Sequence, residues 1–133
     1  MKEKLIISFI YGFFLVNYLD LIFNPRIVPG WHLVLTLIYL ALPLFISRNI
    51  YELVFYTLFV SLVNDLTYYV FGNLFLNRNV NLLLWYSYQL GLSSKPGWVA
   101  DFMFFKVRVT SQIMALSIYL RIICLILLYR RLK

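Results

Sequence analysis

Acidic side chains inside otherwise apolar sequence are the groups in this chain best placed to do chemistry. The stretch "SLVNDLTYYVFG" (61–72) puts Asn64 beside Asp65 within a run of Leu, Val, Phe and Tyr. A carboxylate there could carry a proton or a cation, hold a metal ion, or pair with a basic side chain. Because an ionised Asp at the centre of a bilayer costs about 2.5–3.5 kcal/mol on insertion scales, Asp65 needs a partner, a proton or water.

The helical period places Asp65 on a stripe of small and polar residues. Such a stripe is typical of the surface that one membrane helix packs against another, so we expect Asp65 to face protein and not lipid. The stripe consists of Thr57, Ser61, Asn64, Asp65, Tyr68 and Gly72.

Polar residues from other predicted helices are expected at the same depth as Asp65. We favour a structural network in which Asp65 or Asp20 pairs with Arg108. The alternative is a functional site, with a proton or cation path through Asp65. The predicted polar cluster consists of Asn17, Asp20, His32, Asn64, Asp65 and Arg108.

A metal ion held by Asp20, His32 and Asp65 is a further alternative, for a membrane enzyme. These three residues come from three different predicted helices and show no ligand spacing, which argues against it. Cys124 is the only cysteine, so the chain can form neither an internal disulfide nor a cysteine-based metal site by itself. Without a phosphate loop, HExxH or GxSxG motif, catalysis by this chain alone is not favoured, and bound lipid is the only ligand expected.

The composition indicates a membrane protein. The chain has 133 residues, of which 63% are hydrophobic and 13% are charged, whereas soluble domains have about 25% charged residues. Its mean hydropathy is +0.85. The net charge of +7 comes mostly from basic residues that flank apolar runs, which favours contact with lipid headgroups over nucleic-acid binding.

The predicted fold is an all-α, four-helix membrane bundle that forms a single domain over residues 1–133. The start of the chain resembles a signal peptide but has no small-x-small cleavage site, which predicts a retained anchor. Asn49 and Glu52 are predicted to cap the third helix. The helical pattern of the last span is expected to begin near Trp98, with Asp101 in its first turn. The spans are about 5–23, 31–46, 50–72 and 107–129, and a short helix at about 80–92 is expected to lie on the membrane surface.

Four spans place both termini on one side of the membrane. The positive-inside rule favours the cytoplasm for that side, by one charge. The terminal side would carry Lys2, Lys4, Arg48, Arg130, Arg131 and Lys133, and the other side Arg26, Arg78, Lys95, Lys106 and Arg108.

The last predicted helix carries two polar stripes on opposite faces. Thr110, Ser117 and Arg121 lie on the stripe away from Arg108, so they are expected to face a partner chain, although Arg121 could instead reach Glu52. The sequence therefore predicts a small accessory subunit of a larger membrane complex, such as a respiratory or other membrane oxidoreductase assembly. The alternative is a small homo-oligomeric proton- or cation-coupled transporter or channel that uses Asp65.

Overall fold

The computed structural model describes residues 1–133 and is mainly helical. Three helices are long and apolar enough to cross a membrane, and a fourth apolar helix is shorter. The predicted helical fold is confirmed at this level, with a small β-hairpin in addition. In chain order the elements are α1 (Lys2–Ile22), α2 (Trp31–Ile46), α3 (Ile50–Phe75), α4 (Leu82–Gln89), β1 (Trp98–Asp101), β2 (Lys106–Val109) and α5 (Ser111–Leu132).

The helix α1 contains a π-helical turn at Tyr11–Val16, close to where it meets α3. Gly12 is buried in this turn. A Cβ atom at Gly12 would lie 3.2 Å from the carbonyl oxygen of Val60 and 3.1 Å from a methyl group of Val63. The absence of a side chain at Gly12 therefore allows the two helix backbones to approach closely.

The helix α3 is the centre of the bundle, because α1, α2, α4 and α5 all pack against it. At its start, the side-chain oxygen of Asn49 accepts a hydrogen bond from the backbone N–H of Glu52 at 3.0 Å, which satisfies one free donor of the first turn. Two apolar clusters surround α3. One consists of Val16, Trp31, Leu35 and Val60, and the other of Leu62, Ala100, Val109, Met114 and Ile118.

Residues 98–109 form an antiparallel β-hairpin, so the prediction of a helix starting near Trp98 is wrong. The strands pair from Trp98 opposite Val109 to Asp101 opposite Lys106. Basic and apolar residues alternate along "KVRV" (106–109), a period of two that suits a strand exposed on one face.

The last helix begins at Ser111, which corrects the predicted span of about 107–129. The hydroxyl oxygen of Thr110 accepts a hydrogen bond from the backbone N–H of Ile113 at 3.3 Å, so Thr110 is the N-cap of α5. Residues 107–109, which the prediction placed in the span, lie in β2.

Both chain termini lie at the same end of the bundle, which we call the terminal end. Lys4 of α1 pairs with Glu52 at the start of α3, with 2.8 Å between Nζ and Oε2. Arg131 near the end of α5 donates a hydrogen bond to the hydroxyl of Tyr51 at 3.0 Å. The β-hairpin packs at the opposite end of the bundle, called the hairpin end, beside the start of α2.

Candidate functional site

Asp65 forms an ion pair with Arg121 between α3 and α5. Nη1 of Arg121 lies 2.6 Å from Oδ2 of Asp65, and the two side chains are 13% and 24% exposed, respectively. Arg121 also donates hydrogen bonds of 3.2 Å to the hydroxyl of Ser61 and to the carbonyl oxygen of Ser117. The guanidinium is therefore held in place by three partners.

The expected pairing of Asp65 with Arg108 is wrong. Arg108 lies on β2, exposed, and its guanidinium is 3.5 Å from the carbonyl oxygen of Pro96. Since α3 and α5 run in opposite directions, residues near the middle of each helix meet, and Arg121 is the basic residue in the middle of α5.

A network of amide and hydroxyl groups joins α1, α2 and α3 next to this ion pair. The fully buried Asn64 donates a hydrogen bond of 2.8 Å to the side-chain oxygen of Asn17 and accepts one from the hydroxyl of Tyr39. Asn17, also fully buried, donates to the hydroxyl of Thr67 at 2.8 Å. Each of the three helices thus contributes at least one polar side chain to one continuous set of hydrogen bonds.

Asp20 extends this network toward the hairpin end. Its carboxylate accepts hydrogen bonds from the indole N–H of Trp31 at 2.8 Å and from the amide of Asn64 at 3.4 Å. Its backbone carbonyl accepts one from the hydroxyl of Tyr68 at 3.2 Å. Neutral donors, rather than a basic residue, therefore surround Asp20.

His32 belongs to a different contact, which fastens the β-hairpin to the start of α2. Its Nδ1 accepts a hydrogen bond from the backbone N–H of Asp101 at 2.8 Å, so that nitrogen carries no proton. The His32 ring stacks on the ring of Trp98, with 5.1 Å between the centroids. The carboxylate of Asp101 accepts hydrogen bonds from the backbone N–H groups of Gly30 at 3.1 Å and Met103 at 2.9 Å.

These two hydrogen bonds determine how Asp101 responds to pH. The N–H of Gly30 first, and that of Met103 second, stabilise the carboxylate and hold the pKa of Asp101 below its usual value. A depressed pKa in the folded state means that the stabilisation is present above the unfolded pKa, about 4, and is lost as pH falls through the folded value.

We therefore expect the contact between the hairpin and α2 to weaken below about pH 4. The amide proton shifts of Gly30 and Met103, measured by NMR in micelles, should titrate together in this range. Asp101→Asn should remove the titration, whereas Glu3→Gln, at an exposed position in α1, should leave it unchanged. An unchanged titration in Asp101→Asn would contradict this assignment.

The structure brings only part of the predicted polar cluster together. Asn17, Asp20 and Asn64 are linked by hydrogen bonds, and Asp65 follows Asn64 directly on α3. Asp20, His32 and Asp65 do not converge on one point, and no group of three His, Cys, Asp or Glu side chains is arranged to hold a metal ion.

The residues expected to face a partner chain are used within this chain. Thr110 caps α5, and the carbonyl oxygen of Ser117 accepts from Arg121. Arg121 faces α3 and does not reach Glu52, which pairs with Lys4 instead. The second polar stripe of the last helix is therefore its packing face toward α3.

Three members of the network were missed in the sequence: Trp31, Tyr39 and Thr67. A buried indole N–H or phenol usually finds a hydrogen-bond partner. That rule could have indicated Trp31 and Tyr39 as donors to the acidic and amide side chains.

An open apolar groove of about 640 Å³ lies at the terminal end, between α1 and α5, with α3 as its floor. Six of its eight lining residues are hydrophobic, and the two others are basic and lie at the end of α5. The lining residues are Leu5, Phe55, Phe59, Leu125, Ile126, Tyr129, Arg130 and Lys133.

The long apolar helices of this mainly helical protein are held together by an internal ion pair and an amide network. No protein-family model matches the chain, and comparison with curated proteins and with solved structures finds no match.

Proposed function

We propose that this protein is a multi-pass membrane protein that serves as an accessory subunit of a larger membrane complex. The open groove between α1 and α5 carries this proposal. We infer that an apolar transmembrane helix of a partner subunit fills this groove.

The membrane placement is supported by the distribution of apolar and polar side chains. Large hydrophobic residues are exposed along α1, α2 and α5, including Phe14, Leu37 and Leu120. In the middle of the helices, Asp65 pairs with Arg121 and Asn64 pairs with Asn17. This is the arrangement that lipid requires, because hydrocarbon offers no hydrogen-bond partners.

The partner proposal is supported by the shape and chemistry of the groove. The helix α5 packs against α3 and α4, whereas α1 packs against α2 and α3. The groove between α1 and α5 is therefore open at the terminal end. Apolar side chains of a partner helix would fill the groove, as in other helix-in-groove interfaces. Arg130 and Lys133 at its end favour an acidic residue just beyond the partner's span.

The proposed topology has both termini in the cytoplasm. Six basic residues belong to the terminal end, and the segments at the hairpin end contain five. Contacts such as the Arg131–Tyr51 hydrogen bond support a common side for both termini. The positive-inside rule then assigns the cytoplasm to the terminal end.

A photo-crosslinking amino acid in the groove tests the partner directly. Placed at Phe59 in the full-length chain in its native membrane, it should give one defined protein adduct. The same partner should appear at fixed stoichiometry in the native mass of the complex purified in mild detergent. The matched control is Phe45 of α2, which is 90% exposed and does not line the groove.

Two outcomes would contradict the proposal. Lipid adducts alone at Phe59 would show that an acyl chain fills the groove. A stable monomer without any associated chain in mild detergent would also count against an accessory subunit. The kind of complex, respiratory or another oxidoreductase, stays a prediction from the sequence.

A proton- or cation-coupled transporter is the second candidate. The observation that favours it is the position of the Asp65 carboxylate near the middle of α3, on a side chain that is 24% exposed. An ionisable group within a membrane span can lie on a path for protons or cations. In this case Asp65→Asn would abolish ion-dependent uptake into vesicles and leave the fold intact.

A further inference from the structure

The turn of the β-hairpin exposes a compact apolar surface. The turn residues Met103, Phe104 and Phe105 are exposed, and the Phe104 side chain is 85% exposed. We propose that this tip inserts into the interface of the lipid leaflet at the hairpin end, and so continues the apolar surface of the short helix α2. The inference rests on the proposed membrane placement.

The helix α2 is too short to span a bilayer by itself. The helix α2 has 16 residues, which is about 24 Å, whereas the hydrocarbon core of a bilayer is about 30 Å thick. The helices α1 and α3 have 21 and 26 residues and are long enough to span it. With the terminal ends of the helices level, α2 ends several ångströms short of the others at the hairpin end.

The hairpin is fastened at the end of α2 that falls short. The carboxylate of Asp101 accepts a hydrogen bond from the backbone N–H of Gly30, which is the N-cap of α2. The ring of His32 accepts a hydrogen bond from the backbone N–H of Asp101. A Cβ atom at Gly30 would lie 2.8 Å from Cβ of Met103, so the tip itself is in contact with the start of α2. The tip is therefore placed directly beyond the end of the short helix.

The side chains of the hairpin suit a membrane interface. Phenylalanine is among the residues that interfacial segments bury at the headgroup boundary, and basic side chains beside it bind lipid phosphates. Lys106 and Arg108 are two residues apart on β2, so they point to the same face, next to the aromatic tip. The only acidic residue of the hairpin, Asp101, is occupied by its hydrogen bonds to Gly30 and Met103.

The depth of the tip is limited by its backbone. An irregular turn and open strand edges leave backbone groups without partners, and these are not tolerated in hydrocarbon exposed to lipid. The tip therefore lies among the headgroups and the first methylene groups, with phosphate oxygens next to Lys106 and Arg108.

Depth-dependent fluorescence quenching tests this placement. Single cysteines replace Phe104, Leu37 or Ser94 in a Cys124→Ser background, and each is labelled with an environment-sensitive fluorophore in the purified full-length protein. The protein is reconstituted in vesicles of phosphatidylcholine and phosphatidylglycerol. Leu37 is exposed in the middle of α2, and Ser94 is exposed in the loop before the hairpin.

We expect the label at Phe104 to be quenched by lipids with a shallow nitroxide and protected at least threefold from aqueous iodide relative to Ser94. The label at Leu37 should be quenched by deep nitroxides.

The hairpin inference alone would be overturned if iodide quenched the label at Phe104 as strongly as the label at Ser94 while lipid nitroxides still quenched the label at Leu37. Protection of the label at Phe104 from both iodide and the lipid nitroxides would also overturn the hairpin inference, because a second copy of the chain would then cover the tip. Loss of lipid quenching at Leu37 would overturn the membrane placement on which the inference rests.

Discussion

Arg121→Leu is expected to destabilise the protein by about 2–4 kcal/mol. The substitution leaves the carboxylate of Asp65 without its charged partner between α3 and α5, and removes the hydrogen bond to Ser61. Breaking a buried ion pair costs about 3–5 kcal/mol, and relaxation of the bundle with water penetration around the unpaired carboxylate reduces that cost. The measurement is the free energy of unfolding in mixed micelles, followed by circular dichroism.

A second substitution separates the loss of the partner from the loss of packing. The double variant Asp65→Leu/Arg121→Leu should regain most of the stability, because it leaves no unpaired charge. The control is Arg26→Leu at an exposed position between α1 and α2, which should change stability by less than about 0.5 kcal/mol. A double variant as unstable as Arg121→Leu would contradict the assigned pairing. A folded Asp65→Asn protein that has lost only ion-dependent uptake would favour the transporter.

Asn64→Leu is expected to cost about 2–3 kcal/mol, although leucine suits an apolar bundle. Asn64 connects Asn17 of α1 and Tyr39 of α2 to α3, so its loss leaves the buried side-chain oxygen of Asn17 and the hydroxyl of Tyr39 without these partners. Each unsatisfied buried group costs about 1–3 kcal/mol, and membrane proteins lie toward the lower part of this range. The measurement is again the free energy of unfolding in mixed micelles, followed by circular dichroism.

A hydroxyl on the same helix provides the control for Asn64→Leu. The side-chain oxygen of Thr57 is buried and has no hydrogen-bond partner, so Thr57→Val removes a polar group without leaving another unpaired. The free energy of unfolding of the Thr57→Val variant should be unchanged or slightly higher. If Asn64→Leu were as neutral as Thr57→Val, the amide network would not hold the helices together.

The helices could be predicted from the sequence because long apolar runs have few alternatives to a helix. The stripe that contains Asp65 was also informative: small and polar residues at helical spacing indicated a face that packs against protein, and Asp65 does pack against α5. The amide groups of Asn17 and Asn64 lie together, as the common depth of their helices suggested.

The partner of Asp65 could not be predicted, because the last helix was assumed to begin too early. Placing Arg108 in a helix put it at the depth of Asp65, whereas the alternation in "KVRV" and the turn before it place it on a strand. Which faces of α3 and α5 meet is a tertiary property that no spacing within either helix determines. The docking of His32 on Asp101 was missed for the same reason.

The coupling energies of two ion pairs, compared in lipid bilayers, show whether Asp65 and Arg121 hold α3 and α5 together within a membrane. Double-mutant cycles on Asp65–Arg121 and on Lys4–Glu52 compare pairs of similar exposure, since the side chains of Lys4 and Glu52 are 21% and 19% exposed. Lys4 and Glu52 lie at the terminal end of the bundle, whereas Asp65 and Arg121 lie within it. If the bundle spans a membrane and this pair locks α3 to α5, the coupling should be about 2–3 kcal/mol for Asp65–Arg121 and below about 1 kcal/mol for Lys4–Glu52. Equal coupling energies below about 1 kcal/mol for both pairs would show that the Asp65–Arg121 pair does not hold α3 to α5 within a membrane.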